Sequence, residues 1–301
     1  MGKSIPDSTT FRIGGVSVSI LYIVGTPIGN LGDMSPRGRE VLETVDFIAA
    51  EDTRVSVKLL NHFGIKKPLV SYYQHNLRER GEQILGRIQG GESCAIITDA
   101  GMPCISDPGE DLVALCHEAG IPVRVVPGPT AALSALAASG LPTGRFAFEG
   151  FLSVKASSRR ERLEEVKDDP RTLIFYEAPH KLRDTLADMA AAFGEGRRLT
   201  LCRELTKIHE ELIRTTLGEA VTLYQEREPK GEYVLILEGA VLDRGPKVSF
   251  EEAVELVVQM AGCGVSLSDA AKSVAADAGY KKGELYRAAI AKAGRSKGHY
   301  L

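Results

Sequence analysis

Residues 94–144 constrain the fold of this chain more than any other stretch. Two short apolar runs, Ala95-Ile96-Ile97 and Val123-Arg124-Val125-Val126, each end in a loop of small and rigid residues. The first loop is Thr98-Asp99-Ala100-Gly101-Met102-Pro103-Cys104-Ile105-Ser106-Asp107-Pro108-Gly109, the second Pro127-Gly128-Pro129-Thr130. A helical pattern follows each, giving strand, loop, helix twice over, the unit of a parallel sheet. Ligands of such sheets bind outside the carboxyl ends of the strands, where both loops fall. Asp99 can accept from ligand hydroxyls or amines, and the helix opening at Thr130 and Ala131 leaves backbone N–H groups free. Gly and Pro punctuate any α/β fold, so one such loop is an ordinary turn. Two on successive strands point to a pocket.

The chain has 301 residues, 44% hydrophobic and 26% charged, enough core for two domains or one large one. The net charge of −3 supplies no global field toward nucleic acid, so a polyanion site has to be a local patch. Five cysteines without a C-x-x-C pair argue against disulfides and zinc, and for a reduced, cytoplasmic protein holding no metal. No apolar run has the length of a membrane helix, and the opening residues lack the apolar core of a signal peptide. Residues 1–17 read as a disordered lead.

Residues 18–143 read as an N-terminal α/β domain built on a parallel sheet. Val18 to Val24 is a buried first strand ending in the loop Gly25-Thr26-Pro27-Ile28-Gly29-Asn30. That loop departs from G-x-G-x-x-G, and Pro27 removes a donor, so phosphate binding is not its reading. Ser35-Pro36 starts a helix. Asp46 to Ala50 is a second strand that delivers Glu51-Asp52-Thr53-Arg54 to the same sheet end. A helix cap is the simpler account of Asp52, whereas Arg54 at a helix start is electrostatically misplaced and becomes a substrate-contact candidate. Pro68 to Tyr73 is a third strand, with His75 and Asn76 just beyond it.

Residues 144–243 read as a second, mixed-sheet α+β domain with few helices. Its strands are Phe146 to Phe151, Thr172 to Tyr176, Arg198 to Arg203, Glu210 to Thr216 and Tyr233 to Glu238. Residues 153–165 form a charged helix entry. After a linker at Asp243 to Lys247, residues 248–301 form a small helical domain with helix-turn-helix spacing. Between 281 and 301 stand six basic residues against one acid, Glu284. A solvated helix face explains this, and so does a small module for RNA or DNA.

The segments VGTPIGNLGDMSPR, AAEDTR, TDAGMPCISDPG, VVPGPTAALSALAASGLP, FYEAPHKL and CRELTKIHEE together resemble the tetrapyrrole-methylase-like S-adenosylmethionine-dependent methyltransferases. Within that superfamily they resemble its small-subunit ribosomal RNA branch. The resemblance implies a cofactor, S-adenosyl-L-methionine, held in a cleft between two domains of a homodimer. It implies transfer of a methyl group to the ribose 2′-hydroxyl of a cytidine in the decoding region of 16S rRNA, with the RNA or the 30S subunit as partner. By matching motif positions, the cofactor meets Pro27, then Asp99, Ala100, Gly101 and Ile105, then Thr130 and Ala131. Glu177 and Leu205 close over it from the second domain.

Methyl transfer to a hydroxyl is an in-line displacement that needs alignment and a proton acceptor. Candidates at the strand ends are Asp52, His75, Glu204, Lys207 and Glu232; Lys207 is a base only if burial lowers its pKa. Arg203 with Glu204 is equally well a structural ion pair. Phosphate contacts fall to Arg54, Lys155, Arg159, Arg160 and Lys230, and in the last domain to Lys281, Lys282 and Arg287. Tyr72, Tyr73 and Phe151 could stack a base, with core packing the simpler account of each. Two rival functions are C-methylation of a tetrapyrrole or corrin, and a non-catalytic RNA-binding assembly factor.

Overall fold

The computed structural model describes residues 12–13, 16–17, 19–73, 77–241 and 248–296. The chain divides into two compact units, 1–240 and 241–301.

The first unit holds two five-stranded sheets. The first sheet is all parallel, with strands β1 (Leu21–Val24), β2 (Phe47–Ala50), β3 (Leu69–Ser71), β4 (Cys94–Ile97) and β5 (Val123–Val126) in the order β3-β2-β4-β1-β5. Its central strands are apolar throughout because both faces are covered. Tyr22, Val24, Ile48, Ala50, Ala95 and Ile97 face one core with Val41, Leu42 and Leu60 of helices α1 (Pro36–Thr44) and α2 (Thr53–His62). Leu21, Ile23, Phe47, Ala49, Cys94 and Ile96 face the other. There Ile84 and Ile88 of α3 (Leu77–Gln89) and Leu112 and Cys116 of α4 (Glu110–Glu118) cover them. Ser35 caps α1 by accepting from the Gly38 N–H, with Pro36 at the first helical position. The first strand of this sheet begins at Leu21, and within the stretch read as a disordered lead Arg12–Ile13 pairs antiparallel with Val16–Ser17.

The second sheet is mixed. Strands β6 (Phe146–Phe151), β7 (Thr172–Glu177), β8 (Arg198–Arg203), β9 (Glu211–Thr216) and β10 (Tyr233–Leu237) run in the order β9-β8-β10-β7-β6. The β6–β7 pair is parallel and the other pairings are antiparallel. Three helices cover one face where few were expected: α6 (Ala156–Val166), α7 (Leu182–Phe193) and α8 (Leu217–Glu226). Helix α8 hides in the sequence because no turn precedes it. Thr216 ends strand β9 and is itself the N-cap, in a capping box with Glu219.

The opposite face of this sheet packs on helix α5 (Ala131–Ser139), which follows β5 of the first sheet. Ala132, Ala135 and Leu136 sit against Ile174, Cys202, Val234 and Ile236. The small side chains of α5 allow that close approach. Its last turn is tied down as well: Arg214 donates to the Ser139 and Ala138 carbonyls at 3.2 and 3.1 Å, a cation at the negative end of the helix dipole. Helix α5 thereby fixes how the two sheets face each other.

The second unit is a three-helix cluster, α9 (Phe250–Gly262), α10 (Leu267–Ala278) and α11 (Lys282–Ser296). Ala253, Val257, Ala271, Leu285 and Ala289 form its own core. Ser249 and Glu252 make the expected capping box, and Ser266 caps α10. The linker assigned to Asp243 to Lys247 lies outside the described residues.

Candidate active site

The carboxyl ends of β1, β2, β4 and β5 open onto one cleft of about 330 Å³, closed on the far side by the second sheet. Two backbone bonds tie the first loop to the aspartate loop. The Thr26 N–H donates to the Gly101 carbonyl at 2.8 Å, and the Gly101 N–H returns to Thr26 at 3.2 Å. The buried Thr26 hydroxyl also donates to the Thr98 carbonyl, so the first loop is built as one piece with the second.

Among the described residues, the non-glycine positions with left-handed backbone are Cys104, Ser106, Glu204 and Thr206. Each such position costs about 1–3 kcal/mol and persists only where surrounding structure holds it. Two lie in the aspartate loop and two in the loop after β8, and of these Ser106 and Glu204 line the cleft from its two sides. A larger, shallow groove between α7 and α8 has no such strained loops.

One wall is acidic. The Thr98 hydroxyl donates to the Glu51 carboxylate, and the Asp52 N–H donates to Asp99 at 3.3 Å. Burial and the nearby Glu51 charge push Asp107 up to about 7, with the Thr98 hydroxyl partly offsetting them. Burial, then Glu51, raises Asp99 as well. The opposing wall is largely apolar, with Phe151, Leu205 and Val234, and Ile28, Met102 and Ile105 lie between. Glu177 is buried at this wall with its charge satisfied. It accepts from the Ala178 N–H at 2.9 Å and the Thr185 hydroxyl at 2.5 Å, and Lys181 lies 3.3 Å away.

At the end of β8, Lys207 bridges two carboxylates, donating to Glu204 and to Glu232 at 2.8 Å each. Burial alone would pull its pKa down, but the two acids outweigh burial and leave it raised. Lys207 is therefore an ammonium and not a base, which corrects one of its possible roles. Glu204 is lowered: burial opposes the shift, and the Lys207 ammonium overcomes it.

Of the residues assigned to a cofactor, Asp99, Ala100, Gly101, Ile105, Thr130, Ala131, Glu177 and Leu205 line this one cleft. Pro27 is buried behind it, and the neighbouring Ile28 takes its place at the surface. Glu204, Lys207 and Glu232 line the cleft too. Asp52 does not. It caps α2 and holds Arg54 in a two-pronged ion pair, which drives its pKa down to about 2 and makes it a poor proton acceptor. The same pair accounts for a cation at the start of α2, and the Arg54 side chain stays 87% exposed. His75 lies outside the described residues.

The cations assigned to phosphate divide. Lys155 and Lys230 are exposed, and Arg160 is largely so beside Asp188. Arg159 is a correction: its residue is only 5% exposed, and it is locked to Asp188 at 2.6 Å in the core between α6 and α7. It is structural. Lys281, Lys282 and Arg287 are exposed on the separate three-helix unit. Glu51, Thr98, Asp107, Phe151 and Tyr176 line the cleft without having been assigned to it. The Asp107 signal was present in the run Ser106-Asp107-Pro108-Gly109, where it reads as turn chemistry.

The cleft suits S-adenosylmethionine by its chemistry. The volume fits a nucleoside-sized ligand, the carboxylate wall suits a cation and ribose hydroxyls, and the apolar surface of Leu205 and Val234 suits the cofactor's base. Among the described residues no cluster of His, Cys, Asp and Glu could hold a metal ion.

Residues 20–221 match the family model described as tetrapyrrole (corrin/porphyrin) methylases. A protein of Synechocystis sp. called ribosomal RNA small subunit methyltransferase I is 46% identical over 91% of this chain and 98% of its own length. One of that name from Pseudomonas aeruginosa is 45% identical over 93% of this chain and all of the relative. One from Escherichia coli O157:H7 is 50% identical over 73% of this chain and 77% of its own. Among solved structures, a cobalt precorrin-4 methyltransferase of cobalamin biosynthesis superposes with a TM-score of 0.55 at 18% identity, covering 72% of this chain and 94% of that one. A diphthine synthase gives 0.57 at 15% identity, covering 73% and 90%. These likenesses at low identity speak for the fold alone.

Proposed function

The chain belongs to the tetrapyrrole methylase family and, within it, to the ribosomal RNA small subunit methyltransferase I family, and on that premise we propose that it methylates the ribose 2′-hydroxyl of a cytidine in the decoding region of 16S rRNA. The methyl donor is S-adenosylmethionine. The observation that carries this reading is the cleft itself, where two parallel-sheet loops present the carboxylates Glu51, Asp99 and Asp107 and the second sheet presents an apolar wall with a fixed ammonium.

When bound, S-adenosylmethionine supplies an electrophilic methyl group on a sulfonium. Asp99, Gly101, Thr130 and Ala131 would hold it from the first sheet, with Leu205 from the second. Lys207, kept protonated by Glu204 and Glu232, stabilises negative charge developing on the attacking oxygen. Asp107 takes the hydroxyl proton. It lines the cleft, and its affinity for a proton near neutrality is what a general base at neutral pH requires. A positioned base of this kind contributes about 10²–10⁴-fold. Lys155 and Lys230 hold RNA phosphates, which positions the substrate without specifying its sequence. The homodimer is a proposal of the same kind, checked by light scattering.

The test uses methyl-labelled S-adenosylmethionine with 30S particles and, separately, naked 16S RNA. Label on one ribose near the decoding centre supports the reading. Cofactor binding without transfer to either substrate overturns it, and turnover with a tetrapyrrole would replace it.

A further inference from the structure

Strand β6 carries one residue too many. Ala147 faces the helices that cover this sheet, and Glu149 meets Arg162 of α6 at 2.7 Å. Phe148 points the other way, toward the cleft-side core, with its ring edge-on to Tyr176 at 5.0 Å. Simple alternation would send residue 151 back to the helix side with 147 and 149. It does not go there. Phe148 pairs with Ile174, but Gly150 pairs with Phe175 and Phe151 with Tyr176, so the register slips between Phe148 and Gly150. Gly150 absorbs the slip at φ +64°, a conformation glycine adopts without strain.

The bulge turns Phe151 onto the cleft face, where its ring meets Tyr176 edge-on at 5.4 Å. The ring is not buried there. Phe151 is 57% exposed while lining the cleft, and Ile105 of the aspartate loop, 51% exposed, lines the same cleft. The aspartate loop comes close enough that a Cβ on Gly150 would touch the Ser106 hydroxyl at 3.4 Å. The Lys181 ammonium lies 5.6 Å from the Phe151 ring centre, and Lys155 is exposed four residues further on. A bulge that leaves an aromatic ring more than half exposed while it lines a cleft, with a lysine ammonium beside it, is a device for holding a flat ligand.

We propose that Phe151 is the platform on which the base of the target nucleotide stacks, so that its ribose is presented to the cleft. This rests on the RNA methyltransferase reading above. Reading of RNA by proteins relies on unstacked bases laid on aromatic side chains, with nearby cations on the phosphates. The base of the RNA, and not the adenine of the cofactor, is the occupant, because the ring stands at the exposed rim.

The experiment uses the full chain with 30S particles or 16S RNA. Phe151→Ala and Phe151→Leu should raise KM for RNA roughly tenfold or more, the loss expected of one stacked base. Their kcat and their affinity for S-adenosylmethionine should change little. Phe151→Tyr should recover RNA affinity that Phe151→Leu does not. The chain contains no tryptophan, so Phe151→Trp provides a single fluorophore at the site. Its emission should be quenched by RNA and not by S-adenosylhomocysteine. Quenching by S-adenosylhomocysteine alone, or a Phe151→Leu protein with wild-type KM, overturns the proposal. If the wild-type protein itself transfers no methyl group to RNA, the broader reading falls and this proposal falls with it. If the wild type transfers and Phe151→Leu matches it, only this proposal falls.

Discussion

Gly25 and Gly128 meet backbone to backbone where the loops after β1 and β5 begin. A Cβ on Gly25 would stand 2.7 Å from the Gly128 Cα, and one on Gly128 would stand 2.8 Å from the Gly25 Cα. Neither loop can move aside freely, since Thr26 is bonded to Gly101 and the Gly25 N–H to the Val126 carbonyl. Gly25→Ala or Gly128→Ala should therefore destabilise the chain by about 1–3 kcal/mol, as overpacking does. Affinity for S-adenosylmethionine should fall with it, because both loops border the cleft. Thermal melts and titration calorimetry check this; unchanged values for both variants would mean the loops yield more easily than their bonds suggest.

Lys207 sits between Glu204 and Glu232, and its replacement separates charge from packing. Lys207→Met should lower kcat by about two to three orders of magnitude, the scale of losing one stabiliser of developing negative charge. Binding of S-adenosylmethionine should be nearly unchanged. Single-turnover transfer measured beside cofactor titration distinguishes this from simple unfolding of the site.

Asp107 gives a pH signature in both rate and stability. As proton acceptor it must be ionised, so kcat should climb as pH rises through about 7 and then level off. Asp107→Asn should flatten that limb and lower the plateau. The stability effect has the opposite sense. The folded protein keeps this proton to about 7, whereas an unfolded Asp loses it near 3.8. The favourable contribution is complete below the unfolded value and is lost as pH rises through about 7. The gain in Tm of Asp107→Asn over wild type should thus be larger at pH 8 than at pH 5. Equal gains at the two pH values would contradict the shift.

Arg159 and Asp188 form a buried pair, with side chains 6% and 10% exposed. Asp188→Ala leaves the Arg159 charge buried without its partner and should cost about 3–5 kcal/mol. Arg159→Met should affect stability far more than RNA affinity. Chemical denaturation and RNA binding on the same samples decide it; a folded Arg159→Met with strongly weakened RNA binding would restore the phosphate role.

Lys281, Lys282 and Arg287 are exposed on the three-helix unit. If that unit contacts RNA, replacing the three with Gln should weaken RNA binding across sequences and flatten its salt dependence. Cofactor affinity should stay as it was. An unaltered salt slope would assign these charges to a solvated helix face.

The parallel sheet was legible because strands covered on both faces must be apolar throughout. Runs such as Tyr22-Ile23-Val24 and Ala95-Ile96-Ile97 are short, apolar and bounded by Gly and Asp loops, as such strands require. The loops at their ends were legible because Gly and Pro are needed where backbone approaches backbone, as Gly25 and Gly128 show. Helix α8 was not, since Thr216 serves both strand and cap and leaves no turn to read. Charges misled most. Arg159 reads as a phosphate contact and Lys207 as a base on condition of burial, and each is held by carboxylates whose approach only the fold reveals.

The sequence by itself determined which segments are strands, which loops gather at the cleft, and which family the motifs resemble, since periodicity and turn chemistry are local properties. Only the tertiary structure decided which ionisable groups are available. The Asp107 carboxyl owes its proton affinity to burial beside Glu51, and Lys207 stays charged because Glu232, from a distant strand end, joins Glu204 around it. The orientation of Phe151 depends on a register slip against β7 that no alternation pattern encodes. Burial, charge pairing and strand register all arise between residues far apart in the chain, and the reactivity of this cleft depends on all of them.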